Sequence, residues 1–275
     1  MTRQHASKFT VNTLFLALTL TVPHANAQPA KPELHSTRNV EGWTVHVDRR
    51  LLDGTDVDLG RRALRLLADR LYEIKLVMPG DKVQRLQQVP LWLDRTHGEL
   101  RSMQYHPNAT WLRDHGYSTQ LTKCVHIPDA SLFASPKHHH TQPWAVLHEL
   151  AHAYHDQVLG FNHDEIKAAW KRFVDSGRYQ SVLHIEGGVK KHYALTDQKE
   201  FFAEMTEAYF GLNDFFPFHR AELNREEPEL FVLLQTIWGP LPAQAATADD
   251  AKKSGDEKDP KVPTRQPACP SRSSW

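Results

Sequence analysis

The sequence predicts an α+β fold: a small mixed sheet, then a helix carrying His148 and His152, then a mainly helical C-terminal lobe. Three observations predict it. Short β-branched and apolar runs fall in the first half of the chain, apolar residues at 3.6-residue spacing dominate the second, and Pro or Gly punctuation separates the segments. Residues 40–47 alternate as a strand, and residues 59–76 repeat apolar side chains at helical spacing until Pro79-Gly80 stops them. Residues 89–93 and 123–127 read as further strands. The second is ended by Pro128-Asp129 and suits a sheet edge beside a cleft, where an extended substrate can add itself. Thr141 and Pro143 start the next helix, Gly160 stops it, and Trp144, Leu147, Leu150, Ala151 and Tyr154 form its apolar stripe. Residues 164–176 read as a helix, and residues 179–185 and 189–194 as a hairpin around Gly187-Gly188. A helix then begins near Thr196 or Asp197 and carries Phe201 and Phe202 inward; a loop at 213–217 and helices near 218–225 and 229–238 close the domain.

Residues 1–27 read as a secretory signal peptide, with Arg3 and Lys8 ahead of an apolar run and Ala25-Asn26-Ala27 as the cleavage site. The expected product is secreted or periplasmic. The apolar run is too short for a membrane span, and no later segment reaches the ~20 apolar residues that a span needs. Removing two basic residues and no acidic one leaves a formal net charge of −2, which argues against nucleic acid as a partner. Residues 244–275, rich in Ala, Lys, Asp, Pro and Ser, cannot bury enough apolar surface to offset ordering entropy and read as a disordered tail. Residues 28–243 are left as one domain. Cys124 and Cys269 are the only thiols; an exported pair is a candidate disulfide, and neither has the spacing of a metal ligand.

The segment His148-Glu149-Leu150-Ala151-His152 carries the chemistry. A helix turns both imidazoles to one side, which makes half a zinc site, and the glutamate between them reaches the open metal position. Metal-assisted hydrolysis of an amide needs that arrangement. A third ligand ten residues after His148 is excluded by Val158, and one roughly twenty residues after His152 by Arg172 and Phe173. His155 shares the side of His148 at seven residues and reads as a groove or supporting residue. The stretch from Tyr193 to Glu204 offers carboxylates on a second helix. Glu200 and Glu204, four residues apart, share a face, so one can bind metal while the other holds a ligand histidine by its free ring N–H. The competing reading is an acidic, solvated face that includes Glu207.

Together, His-Glu-x-x-His and Tyr193-x6-Glu200-Phe-Phe-Ala-Glu204 resemble the gluzincin peptidases related to the catalytic domain of anthrax lethal factor and to the secreted Pro-Pro endopeptidases. The resemblance covers about residues 143–210. It implies a zincin-like metallopeptidase domain with one Zn2+ held by His148, His152 and Glu200. It further implies Glu149 as general base, Tyr193 as oxyanion donor and Glu204 as the residue that orients a histidine ligand. His192, beside Tyr193, is a rival donor. The chain has no room for the toxin's other domains, and nothing in the motif encodes a Pro-Pro preference.

The expected activity is zinc-dependent hydrolysis of peptide bonds in a protein or peptide substrate. Two alternatives stay open: a zinc amidase acting on cell-wall peptide, and a non-catalytic extracellular binding module that retains the fold. Lys137-His138-His139-His140 reads as a solvated loop, because adjacent side chains point in different directions. Phe215, Phe216 and Phe218 read as core aromatics.

Overall fold

The computed structural model describes residues 31–241. The stretches read as a signal peptide and a disordered tail, with Cys269 in the latter, lie outside the described residues. Two N-terminal strands, β1 (His35–Val40) and β2 (Trp43–Asp48), form an antiparallel hairpin. The single strand expected over 40–47 is therefore two. Glu41 and Gly42 turn the chain with φ of 55° and 99°, the left-handed pair that a tight two-residue hairpin requires. On β2, Trp43, Val45 and Val47 alternate inward and are fully buried.

A crossover of three helices, α1 (Arg50–Asp53), α2 (Val57–Val77) and α3 (Gly80–Leu86), leads to β3 (Leu91–Leu93), which lies parallel to β2. Along α2, Ala63, Leu67, Leu71 and Ile74 recur at helical spacing and are buried in the core under the sheet. Next come β4 (Gln104–Tyr105), α4 (Ala109–Asp114) and β5 (Val125–Ile127). β5 pairs parallel with β3 and antiparallel with β4, which gives the spatial order β1-β2-β3-β5-β4. The strand expected at the sheet edge is thus internal. The edge belongs to β4, whose two residues are too few to show a period.

Helices α5 (Ala130–Phe133) and α6 (Pro136–Thr141) precede α7 (Ala145–Tyr154), the helix of His148 and His152. The histidine run at 138–140 lies on α6 and not in a loop. Ser135 accepts from the His138 N–H and Pro136 occupies the first turn, a start signal in plain view. α7 continues into a π-helical turn, His155–Leu159, and ends at Gly160 with φ 80°. The C-terminal lobe follows with α8 (Asp164–Asp175), the short hairpin β6 (Val182–Leu183) and β7 (Val189–Lys190), then α9 (Gln198–Phe210), α10 (Arg220–Glu226) and α11 (Pro228–Trp238). From Phe201 to Phe210 every residue of α9 is buried, so α9 is the central helix of the lobe. One continuous apolar core joins both parts. The α+β expectation agrees with this architecture, and no helix among the described residues is long and apolar enough to cross a membrane.

Gly60 shows how tightly the first lobe is packed. Alanine is the better helix former by about 1 kcal/mol, yet a Cβ there would stand 1.9 Å from the Leu51 carbonyl oxygen of α1. Gly60→Ala is expected to destabilise the protein by about 1–3 kcal/mol in denaturant unfolding; an unchanged or raised midpoint contradicts this packing.

Candidate metal centre

The site is built where α7 crosses α9. Asp197 caps α9, its Oδ1 accepting from the Lys199 and Glu200 N–H groups at 2.8 and 3.0 Å. That cap fixes the first turn and sets the Glu200 carboxylate opposite α7. Glu200 Oε2 lies 3.1 Å from His148 Nε2 and 3.3 Å from His152 Nε2. The two imidazoles stand edge to face with centroids 4.8 Å apart. Ligand atoms about 2.0–2.1 Å from a tetrahedral zinc are separated by about 3.3 Å. Both measured separations are close to that edge, and all three donors lie within 4.8 Å of one another. Two neutral imidazoles and one carboxylate are also the donor set that zinc accepts. The side chains are 12%, 11% and 20% exposed for His148, His152 and Glu200, so the point between them opens to the cleft.

The outer contacts hold this triangle. His148 Nδ1 donates to Glu207 Oε1 at 2.6 Å, whereas Glu204 Oε1 stands 3.9 Å away. The role assigned to Glu204 is therefore filled by Glu207, one further turn along the buried α9. Seven residues beyond Glu200 return nearly to the same face, and Glu207 meets the far edge of the His148 ring. Glu207 and Glu204 are 4% and 3% exposed, which excludes the solvated acidic face. Burial, then the neighbouring Asp214 and Glu207, raise the Glu204 carboxyl well above its ordinary range. Asp214 is likewise pushed up to about 7 by burial and Glu207.

Burial alone would raise the Glu200 carboxyl, but hydrogen bonds from His148 and His152 outweigh it and hold Glu200 well below the usual range. For His148, burial opposes charging, and Glu200 and Glu207 overcome it and raise its pKa well above normal.

Glu149 lines the same cleft. Its Oε2 accepts the backbone N–H of Tyr105 on the edge strand β4 at 2.7 Å. Burial raises its pKa against the pull of His152 and His148. Tyr105 is itself pinned: its hydroxyl donates to Asp156 Oδ2 at 2.6 Å and accepts from Gln157 at 3.0 Å, both in the π-helical turn. Strand edge, general-base candidate and the end of α7 are one connected unit. No residue-type pattern announces the Tyr105 contact, because a backbone N–H makes it.

Tyr193 also lines the cleft, on a single helical turn ahead of α9, and is 48% exposed. Burial and the charge of Glu200 raise its phenol pKa, keeping it a proton donor. The turn is held from behind. Trp170 Nε1 donates to the Ala194 carbonyl at 3.1 Å, and His192 Nδ1 accepts from the Ala194 N–H at 3.1 Å. His192 is 1% exposed and does not line the cleft, so the rival donor is a capping residue instead. His155 is not a groove residue either. Two turns past His148 it lies about 10 Å further along the axis, buried between Phe161 and Phe202. Of the three aromatics read as core, Phe215 is buried and also lines the cleft.

Because Glu207 fixes the tautomer and tilt of His148, Glu207→Gln is expected to weaken zinc affinity by about 10–100-fold, and Glu204→Gln by much less. Competition with a chromophoric chelator measures both; equal effects, or a larger one for Glu204, contradict this assignment.

Comparison of the chain with protein-family models, characterised proteins and solved structures gave no match to any of them.

Proposed function

We propose that this protein is an exported zinc endopeptidase of the gluzincin kind, hydrolysing peptide bonds in a protein or peptide substrate. The observation that carries the reading is the His148, His152 and Glu200 triangle at zinc-edge spacing in an open cleft, with Glu149 on the same side. His148, His152 and Glu200 would hold a zinc ion, which would supply Lewis acidity to activate water and polarise an amide carbonyl.

The remaining work falls to the chain. Glu149 keeps one oxygen on the Tyr105 N–H and has the other free to take a proton from water and return it to the leaving amine. Its raised pKa suits both transfers, since a base that is too weak accepts no proton and one that is too strong returns none. Tyr193, protonated and half exposed, donates to the carbonyl oxygen as negative charge develops there, a contribution of about 2.7–4 kcal/mol for donors of this type. The signal-like residues 1–27 support export to a secreted or periplasmic location. The non-catalytic reading is disfavoured by Glu149 in the cleft and by a triangle whose fourth position opens to that cleft beside it.

Mass-spectrometric profiling of a diverse peptide library tests the proposal, with zinc-loaded wild type beside Glu149→Gln. Wild type is expected to cut internal peptide bonds, and Glu149→Gln to lose about 10²–10⁴-fold in rate while holding the same zinc. Zinc-loaded wild type that cuts no peptide but releases amines from cell-wall fragments would instead identify an amidase, and equal activity in the variant would remove Glu149 from the mechanism.

A further inference from the structure

A second cluster of metal-type side chains lies away from the cleft, at the end of the sheet. Asp94 directly follows β3, His126 sits within β5, and His97 lies in the loop three residues beyond Asp94. Asp94 Oδ2 is 2.6 Å from His97 Nδ1 and 2.8 Å from His126 Nε2. None of the three lines the cleft. Asp94 and His126 are fully buried and His97 is 6% exposed. The backbone fixes the carboxylate, since the Asp94 N–H donates to the Ile127 carbonyl at 2.9 Å and the Asp94 carbonyl accepts from Ala130 at 2.8 Å.

We propose that Asp94, His97 and His126 bind a second divalent cation of the zinc class, which locks the loop after β3 onto the sheet. The three donor atoms already lie within 4.8 Å of one another. Two imidazoles and one carboxylate, with no thiolate and no ring of oxygens, suit zinc better than calcium or magnesium. Outer partners are also in place. His35 Nε2 meets the other carboxylate oxygen, Asp94 Oδ1, at 2.6 Å, and His126 Nδ1 faces His106 Nε2 at 3.2 Å. A ligating carboxylate and a ligating histidine each need such a partner on the atom turned away from the metal.

Charge supplies the second argument. No Lys or Arg among the described residues is hydrogen-bonded to Asp94. Arg50, which feels its charge, is clamped on Asp48 at 2.6 and 2.9 Å. A fully buried carboxylate thus meets three imidazoles and, among the described residues, no ammonium or guanidinium group, a setting in which a bound cation would offset its charge. Admission of zinc requires the Asp94 contacts to His97 and His126, at 2.6 and 2.8 Å, to open by about 0.7 and about 0.5 Å towards the ~3.3 Å edge of a zinc tetrahedron. On the His97 ring, Nε2 has no hydrogen-bond partner among the described residues, so no bond on that edge opposes the shift. Without a cation, the same contacts are hydrogen bonds to a carboxylate, and the experiment separates the two cases.

The purified chain, saturated with zinc and dialysed against metal-free buffer, is assayed for bound metal by mass spectrometry. The same is done for His148→Ala/His152→Ala and for His97→Ala/His126→Ala. Two ions are expected in wild type and one in each double variant, with zinc raising the unfolding temperature of folded His148→Ala/His152→Ala. X-ray absorption on that variant is expected to show a nitrogen and oxygen shell with two imidazoles. A folded His148→Ala/His152→Ala protein that keeps no zinc, or whose zinc shell holds three or more imidazoles, overturns the site. If wild type holds a single ion, the variant that loses it decides. Loss in His97→Ala/His126→Ala upholds this site and counts against the cleft zinc, and loss in His148→Ala/His152→Ala does the reverse. The X-ray absorption and unfolding readouts need no fold from the His97→Ala/His126→Ala protein.

Discussion

The crossing of α7 and α9 is the constraint on which the cleft depends. α7 offers two imidazoles one turn apart, and alone that is only half of a coordination sphere. α9 is buried along almost its whole length, so the packing of Phe201, Phe202, Met205 and Tyr209 fixes its rotation. Once that rotation is set, Glu200 has to face the gap between the histidines, and Glu207, two turns later, has to meet the back of His148. One apolar interface thus positions both Glu200 and the Glu207 that orients His148. The Asp197 cap and the Trp170 contact to Ala194 extend the same control to the start of α9 and to Tyr193.

Electrostatics follow from that packing. Glu207 and Glu204 lie on the Nδ1 side of His148 and Glu200 on its Nε2 side, and burial raises the carboxyls of Glu204 and of the neighbouring Asp214. Hydrogen bonds from the two imidazoles instead hold the Glu200 carboxyl below the usual range. A region of several acids thereby presents one ionised carboxylate to the point between His148 and His152. On the other wall, the Tyr105 N–H holds Glu149 near the same point and keeps one of its oxygens from swinging away.

Much of this was legible in the sequence because helical periodicity is local. Spacing alone puts His148, Glu149 and His152 on one helix and opens a second at Asp197, with the glutamates turned to a common side. What escaped has physical causes of two kinds. The β1–β2 turn at Glu41-Gly42, the two-residue edge strand β4 and the Tyr105 contact to Glu149 rest on backbone conformation and backbone hydrogen bonds, which side-chain types barely mark. The exchange of Glu204 for Glu207 reflects tertiary packing, since both residues sit within reach of His148 and only the depth and tilt of α9 choose between them. His155 misled for a related reason: angular phase on a helix says nothing of distance along its axis, and His155 has passed the end of the cleft.

The account stands or falls on whether the triangle between α7 and α9 holds zinc. Anomalous diffraction at the zinc edge, from crystals grown with one equivalent of zinc, tests this most directly. The account predicts a cleft peak bonded to His148 Nε2, His152 Nε2 and Glu200 about 2.0–2.2 Å away, with Glu207 still on His148 Nδ1. Density that leaves this triangle empty, or that recruits Glu204 in place of Glu200, contradicts it.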